Sequence, residues 1–386
     1  MTSGIRRRPW RGPALPWHNL TQNKVRLAVA VSSISFASAL MFLQIGLLGA
    51  VKKSASLIYD TLDFDIVLLS SKSLEASFSN PFDQRILYQA AGAQGIAAVT
   101  PIYISFGPWR NPTSQENWGI MILGFKPQDS VFRNLELSHS STQLQRQDTV
   151  LINQFSRPEF GDRSLGVRTE LRGRVVEIVG QFRLSNTLRA NGTVLTSDQN
   201  FSRLHPGRSL SAINLGLIKL EPGADGDAVL ATLREKLPLN VNILSRQEAI
   251  AKDQTYWVKT TSTGFVISVG AVMAVLVGGV IVYQVLHADV SEHLQEYAVL
   301  KAIGFSNQRL FNVVLQEAVI LALLGFVPGF LVSLGLYQLI WISTRLPIAM
   351  TLGRVGLIFG LSLTMCGTSG CWAARRIFTA DPANVF

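Results

Sequence analysis

Among the stretches of the chain that carry no Asp, Glu, Lys or Arg, four read as membrane spans: residues 27–51, 260–286, 318–344 and 355–374. An α-helix rises 1.5 Å per residue, so about 20 apolar residues cross the hydrocarbon core of a bilayer. The first three stretches, of 25, 27 and 27 residues, meet this with room to spare, and the fourth, of 20, only just. The pattern predicts an α-helical membrane protein with four transmembrane helices. The first stretch far exceeds the roughly 7–15 apolar residues of a signal peptide, and no small-x-small cleavage site follows it. It reads as an uncleaved anchor.

Residues 52–259 follow another pattern. Segments 52–62 and 247–259 read as helices that continue outward from the neighbouring spans, forming two stalks. Between them the apolar period switches from about 2 to 3.6 and back, twice. The first round is a strand at 65–70, a helix at 82–93 (Ile86, Leu87 and Ala90 at helical spacing) and a β-rich run at 97–106. The second is a strand at 213–220, a helix at 225–237 (Val229, Leu230, Leu233 and Leu237 on one face) and a strand at 240–244. These β-α-β units, 64–106 and 213–244, are expected to pack as a split sheet. Residues 107–212 read as a β-rich insertion, a second lobe farther from the membrane. Its strands are expected at 118–125, 149–153, 175–182 and 193–196, parted by turn signals at Asn111-Pro112, 156–161 and Asn191-Gly192. The expected fold is four transmembrane helices plus a large α+β extracytoplasmic domain.

The 35 Lys and Arg against 25 Asp and Glu leave a net charge of +10, which alone would suggest nucleic acid. Mapped onto the spans it means something else. Residues 52–259 hold 23 basic and 20 acidic groups, an ordinary balanced surface with a net of +3, and the remaining +7 borders the membrane. Nucleic acid is not an expected partner. Basic residues favour the cytoplasmic side. Segment 1–26 has Arg6, Arg7, Arg8, Arg11, Lys24 and Arg26 and no acid, against the weaker opposing signal of Lys52 and Lys53. This puts 1–26, 287–317 and 375–386 in the cytoplasm, with Lys301, Arg309, Arg375 and Arg376. The domain 52–259 and the short loop 345–354, with Arg345 and Arg354, fall outside. Both termini are thus expected in the cytoplasm. The two cysteines, Cys366 and Cys371, lie in the fourth span, so no disulfide scaffold is expected.

No enzyme signature emerges. Gly is never followed by Lys, so a phosphate-cradling loop of the Walker type cannot form, and neither GxSxG nor HExxH occurs. His287, Asp289, Glu292 and His293 spread around a helix where metal ligands need one face, and His139 and His205 have no carboxylate or thiol near them in sequence. No catalytic or metal site is expected. Asn191-Gly-Thr193 and Asn200-Phe-Ser202 fit the glycosylation pattern, which is common by chance. A polar path through the spans would need polar lining, yet only Glu317 approaches a span interior. A mechanical linkage fits better. Small residues at four-residue spacing would let helices approach closely: Gly270/Ala274/Gly278, Gly325/Gly329/Ser333 and Gly356/Gly360. In segment 289–306, Asp289 with Glu292 fits a capping box and Gly304 fits a left-handed stop. Val290, Leu294, Tyr297, Leu300 and Ile303 form a stripe between them. This short amphipathic helix could lie on lipid as a connector, but Glu292 and Glu296 favour a protein partner over an anionic bilayer.

Residues 296–304 (EYAVLKAIG), Glu317 and the Gly325/Gly329 pair resemble the C-terminal permease domain of FtsX- and MacB-type ABC transporters. The runs ALMFLQIGLLGA (39–50), FDIVLLSSKS (64–73), RILYQAAGAQGIAAVTPIYI (85–104), WRNP (109–112) and SRPEFG (156–161) resemble the DevC-type permease, the membrane subunit of a cyanobacterial ABC exporter. The resemblance implies a MacB-like outer domain, a homodimer and residence in the inner membrane. It implies a separate DevA-type ATPase that carries ATP and Mg, with no cofactor bound by this chain and no ATPase domain preceding the first span. The ATPase would dock on the helix between the second and third spans, through Glu292, Glu296, Tyr297, Leu300, Lys301 and Gly304. The outer domain would engage a DevB-type periplasmic adaptor leading to a TolC-type outer-membrane channel, with glycolipid or another envelope component as substrate. An FtsX-like regulator of a periplasmic hydrolase and a lipoprotein-release permease remain the alternatives.

Overall fold

The computed structural model describes residues 21, 23–133, 142–185, 187 and 189–379, with the side chains of 376–379 left aside. Arg6, Arg7, Arg8, Arg11, His139, the Arg376 side chain and residues 380–386 lie outside the described residues. In chain order the elements begin with α1 (Lys24–Thr61), β1 (Ile66–Ser70), β2 (Phe82–Asp83), α2 (Gln84–Ala91), β3 (Ile96–Arg110), β4 (Asn117–Phe125) and β5 (Thr149–Asn153). There follow β6 (Arg168–Leu171), β7 (Arg174–Phe182), β8 (Thr193–Ser197), α3 (Asp198–Leu204), β9 (Ala212–Ile213), β10 (Leu215–Leu220), α4 (Gly226–Lys236) and β11 (Val241–Ser245). The chain then enters α5 (Arg246–Thr255), a π-helical turn (Tyr256–Thr260), α6 (Ser262–Glu292), α7 (Leu294–Ala302), α8 (Asn307–Thr344) and α9 (Leu352–Thr379). Two compact units result. One joins the segment through Leu48, Val266–Leu339 and the segment from Ala349; the other joins Gly49–Phe265 with Ile340–Ile348.

Among the described residues four helices, α1, α6, α8 and α9, are long and apolar enough to cross a membrane. The most apolar window of α1 is half buried, against 17% for α6, 28% for α8 and 33% for α9. The first span is thus the one the others pack around. Missing side chains allow this. A Cβ on Gly325 would come within 2.5 Å of Ile34 Cγ2, and one on Gly329 within 2.6 Å of the Ser35 carbonyl. Ser35 Oγ donates to the Gly325 carbonyl (2.9 Å), and Tyr337 Oη donates to the Phe42 carbonyl (2.5 Å). On α6, Gly270 abuts Gln44, Gly278 abuts Met365 and Ala37, and Ala274 is buried. Ser333 is buried and donates to the Gly329 carbonyl (2.7 Å). Gly356 and Gly360 differ. They share the spacing, but a Cβ on either meets nothing within 4 Å.

The outer unit is organised by one nine-stranded sheet among the described residues, in the order β11-β1-β10-β3-β4-β8-β5-β7-β6. Its first four strands interleave the two β-α-β units. β1 lies between β10 and β11, and β3 follows β10, each pair antiparallel. The strand expected to end at Phe106 runs on through Gly107-Pro108 to Arg110, because both of these residues pair with β4. Its first half pairs with β10 and its second with β4, so the strands of 107–212 extend the same sheet. The helix expected from Phe82 starts two residues later, since Phe82 and Asp83 pair with Ile213 and Ala212 and the Asp83 carboxylate caps Arg85 N–H. β6 and α3 carry no clear apolar period and were not anticipated.

Every residue of β1 is buried, because both faces of the sheet are covered here. Ile66 and Leu68 join a core with Leu87, Trp109, Ile122 and Phe201, and Val67 and Leu69 join another with Tyr59, Phe64 and Leu217. Buried asparagines take up backbone groups that the strands leave over. The expected strand 213–220 breaks at Asn214, whose amide accepts from Ile104 N (2.8 Å) and donates to the Ser79 carbonyl (2.7 Å). Asn200 is buried with its amide nitrogen on the Arg146 carbonyl (2.9 Å), which removes it as a glycan acceptor in the folded chain.

The stalk residues converge on two buried acids. Glu75 is 2% exposed and Asp253 1%. Glu75 Oε2 accepts from Trp257 Nε1 (2.9 Å) and its Oε1 lies 2.5 Å from Arg189 Nε. Asp253 Oδ2 accepts from Ala76 N (2.9 Å), and Tyr59 lies beside it. Burial pushes the Asp253 carboxyl up to about 7, against the Ala76 N–H, which favours the charged form. Burial also raises Glu75, partly offset by Trp257 and Arg189. The stalk expected as one helix to 259 changes to π geometry at Tyr256, where Trp257 turns in against Glu75. Thr261 is extended and its Oγ1 accepts from Gly264 N (3.0 Å), capping α6.

Two predictions follow from these contacts. Gly329→Leu should lower the thermal stability of the detergent-purified chain by several °C, and Gly356→Leu should leave it within about 1 °C, as differential scanning fluorimetry would read. Asp253 binds its proton more tightly folded than unfolded, so its burial costs nothing below about pH 4 and destabilises increasingly as pH rises towards about 7. Asp253→Asn should therefore raise the melting temperature at pH 8, and the gain should vanish near pH 4.

Candidate functional site

The second span does not stop at the membrane edge. α6 continues through Glu292, and the turn at His293 (φ −86°, ψ 10°) starts the nine-residue α7. Asp289 therefore lies inside a helix and is no cap. The expected capping box does not form, because both of its acids bind elsewhere. Arg26, at the inner end of α1, reaches Asp289 Oδ1 through Nη2 (3.2 Å) and Glu292 Oε2 through Nη1 (2.6 Å). An arginine fork suits two carboxylates one helical turn apart. Asp289 and Arg26 are largely shielded, whereas the Glu292 side chain is 65% exposed. The sequence reading used Arg26 only as an orientation marker; a lone arginine beside a span carries no signal of its partner.

The far end of α7 forms as expected. Gly304 has φ +99°, a conformation that costs a side-chain-bearing residue energy. Its N–H donates to the Lys301 carbonyl (2.9 Å) and Phe305 N–H to the Leu300 carbonyl (3.0 Å), which closes a Schellman motif. The chain leaves at once into α8.

The apolar stripe divides. Val290 and Tyr297 are buried and Leu300 is packed against the same core, but Ile303 is 72% exposed. Tyr297, expected on the partner-facing surface, faces inward, and its Oη donates to Glu317 Oε2 (3.3 Å). Glu317 is 1% exposed, so the phenol and the carboxyl meet in a site closed to water. Burial first, and the Glu317 charge second, hold the Tyr297 hydroxyl well above its usual range, so it stays a donor. The surface that remains is Glu296, Val299 and Ile303 at i, i+3 and i+7, continued by Gly304 and Phe305. These side chains share one helical face. Lys301 is half-buried beside it.

Of the residues singled out from sequence, then, Glu296 and Gly304 lie on the open face and Glu292 at its edge. Tyr297 and Leu300 anchor the helix from behind. Glu317 joins this anchor and is not a packing residue like Gly325 and Gly329. The arrangement has no nucleophile, no paired general acid and base, and among the described residues no group of three metal-ligating side chains.

Several known proteins are similar to this chain. Residues 268–382 match the family described as FtsX-like permease C-terminal. An uncharacterized ABC transporter permease of Mycobacterium bovis is 24% identical over 366 residues, which cover 94% of this chain and 96% of that protein. The macrolide export ATP-binding/permease protein MacB of Acinetobacter baylyi is 41% identical over 83 residues, 21% of this chain and 12% of MacB. The crystal structure of the periplasmic region of MacB from Actinobacillus actinomycetemcomitans is 12% identical and aligns with 54% of this chain and 100% of its own, with a TM-score of 0.36. Residues 268–382 thus match an FtsX-like permease domain, and over nearly its whole length the chain is similar to proteins named ABC transporter permease.

Proposed function

We propose that the chain is the membrane subunit of a tripartite exporter, driven by a separate ATPase that docks on α7. The observation that carries this reading is the open Glu296–Val299–Ile303 face on α7, which is held at its back by Glu317 of the third span and follows directly on the end of α6 that Arg26 of the first span grips. A partner pressing on that face loads two spans at once. ATP and Mg belong to the ATPase, and this chain binds no cofactor. Two copies form the working unit in the inner membrane, with both termini in the cytoplasm. α6, whose most apolar window is only 17% buried, offers the surface for the second copy. The outer unit engages a periplasmic adaptor of the DevB type and through it a channel of the TolC type. The substrate class is an envelope component such as a glycolipid. Because residues 27–51, 260–286, 318–344 and 355–374 carry no Asp, Glu, Lys or Arg, motion is passed outward and the substrate need not cross between the helices.

Co-purification with an ABC ATPase subunit co-expressed from the same organism tests the docking face. Ile303→Asp places a charge at the centre of the apolar contact, and Glu296→Lys reverses its only acid. Gly304→Pro cannot adopt φ +99° and removes the N–H bound to Lys301. Each should reduce recovered ATPase at least about tenfold, and Gly356→Leu should not. Wild-type recovery with all three changes would sink the assignment. Crosslinking from 107–212 should capture an adaptor; capture of a hydrolase in its place would favour the regulator.

A further inference from the structure

At the stalk end of the outer unit the acids are sealed and the cations are not. Glu75 and Asp253 are buried, whereas Lys52, Lys72 and Lys259 are exposed and the Arg189 side chain is 35% exposed. Among these cations two large apolar side chains also stand in the open, Leu74 (61%) and Phe78 (64%). In water that exposure is unfavourable.

Chain connectivity fixes their level. Trp257 lies against the first turn of α6: Thr261 Oγ1 donates to its carbonyl (2.7 Å), and a Cβ on Gly264 would overlap the same carbonyl. The loop 71–81 is fastened to the residues just before that point. Lys252 Nζ donates to the Ser73 carbonyl (2.9 Å), Asp253 holds Ala76 N–H (2.9 Å) and Trp257 holds Glu75 (2.9 Å). A span that begins near Ser262 thus brings Leu74 and Phe78 into the interfacial layer, about 5–8 Å deep on each side of the hydrocarbon. Tryptophan and lysine prefer that layer.

A cleft of about 470 Å³ opens there, lined by Phe78, Phe106, Arg189, Trp257, Thr261 and Thr263. The Arg189 guanidinium stacks over Phe78 (5.2 Å) and Trp257 (5.4 Å). Its Nε is held by Glu75, both of whose oxygens are engaged beneath it. The charge shown to the cleft is positive, and the N-terminal end of the 31-residue α6, at Thr261 and Thr263, adds to it. Cation and helix end favour an anion, and the aromatic walls favour an alkyl chain.

We infer that this cleft binds the headgroup of an anionic phospholipid from the surrounding bilayer, with Leu74 and Phe78 set among its uppermost methylenes. The site ties the outer unit to the membrane surface at a place that no span reaches. It depends on the four-span reading and not on the docking of an ATPase, so it stands or falls separately from the export proposal.

The test uses the full chain in nanodiscs of phosphatidylcholine with or without phosphatidylglycerol. Cys366 and Cys371 are replaced by Ala, and Phe78→Cys carries a fluorophore. Shallow nitroxide-labelled lipid should quench that label strongly, iodide should quench it weakly, and phosphatidylglycerol should widen the difference. The double change Glu75→Gln with Arg189→Ala, which leaves no buried charge unpaired, should cut the phosphatidylglycerol effect at least about threefold. Native mass spectrometry should show the same loss of co-purified anionic lipid. Quenching by iodide with none by nitroxide lipid would overturn the proposal. So would inorganic phosphate abolishing the phosphatidylglycerol effect at millimolar concentration, which would mark a soluble-anion site.

Discussion

A hydrocarbon layer about 30 Å thick accepts helices and rejects charge, and the rest of this structure follows from where charge is allowed to resume. Arg26 stands at the inner end of α1, Asp289 and Glu292 at the inner end of α6, and Glu317 at the head of the apolar part of α8. A carboxyl group so close to the bilayer is tolerable only with a partner. Each acid finds one outside its own helix. Asp289 and Glu292 take the fork of Arg26, and Glu317 takes the hydroxyl of Tyr297. The cytoplasmic helix is thus placed by the need to satisfy groups at the membrane edge. Its free face is what that placement leaves over.

Outside the membrane the same cost of burying charge is met differently. The sheet is covered on both faces, so polar groups inside it must be neutral and hydrogen-bonded, as Asn214, Asn200 and Thr196 are. The two carboxyls that are buried sit where the stalk residues meet. Glu75 is held by an arginine and an indole. Asp253, with one backbone N–H and the Tyr59 hydroxyl beside it, is pushed by burial up to about 7.

The sequence discloses what is local and hides what is distant. Exclusion of charge is a local property, so the four spans could be read directly. Gly304 could be read as well, because a left-handed residue closing a helix is a demand of the backbone itself. Spacing alone misled where two partners compete for one pattern. An acid with another acid three residues on suits a capping box, yet it also suits an arginine that arrives from another span, and Arg26 prevails. Glycines at four-residue intervals mark a face without saying what lies on it. Gly325 and Gly329 meet Ile34 and Ser35, whereas Gly356 and Gly360 meet open space. Glu75 and Asp253 gave no signal, since their association depends on β1 and β11 lying side by side.

On the proposed reading, these contacts also decide how motion travels. α1 is one unbroken helix of 38 residues, about 57 Å long, with Arg26 at its inner end and Tyr59 beside Asp253 near its outer end. Displacing the cytoplasmic helix moves Arg26, and a continuous helix passes that displacement on with little loss. The second connection differs, because α6 is separated from α5 by a π turn and an extended residue at Thr261. The third is the segment 340–348, where Arg345 stacks over both Phe155 and Trp341 at 5.6 Å. One stiff strut, one articulated strut and one side-chain clasp do not respond equally to the same push.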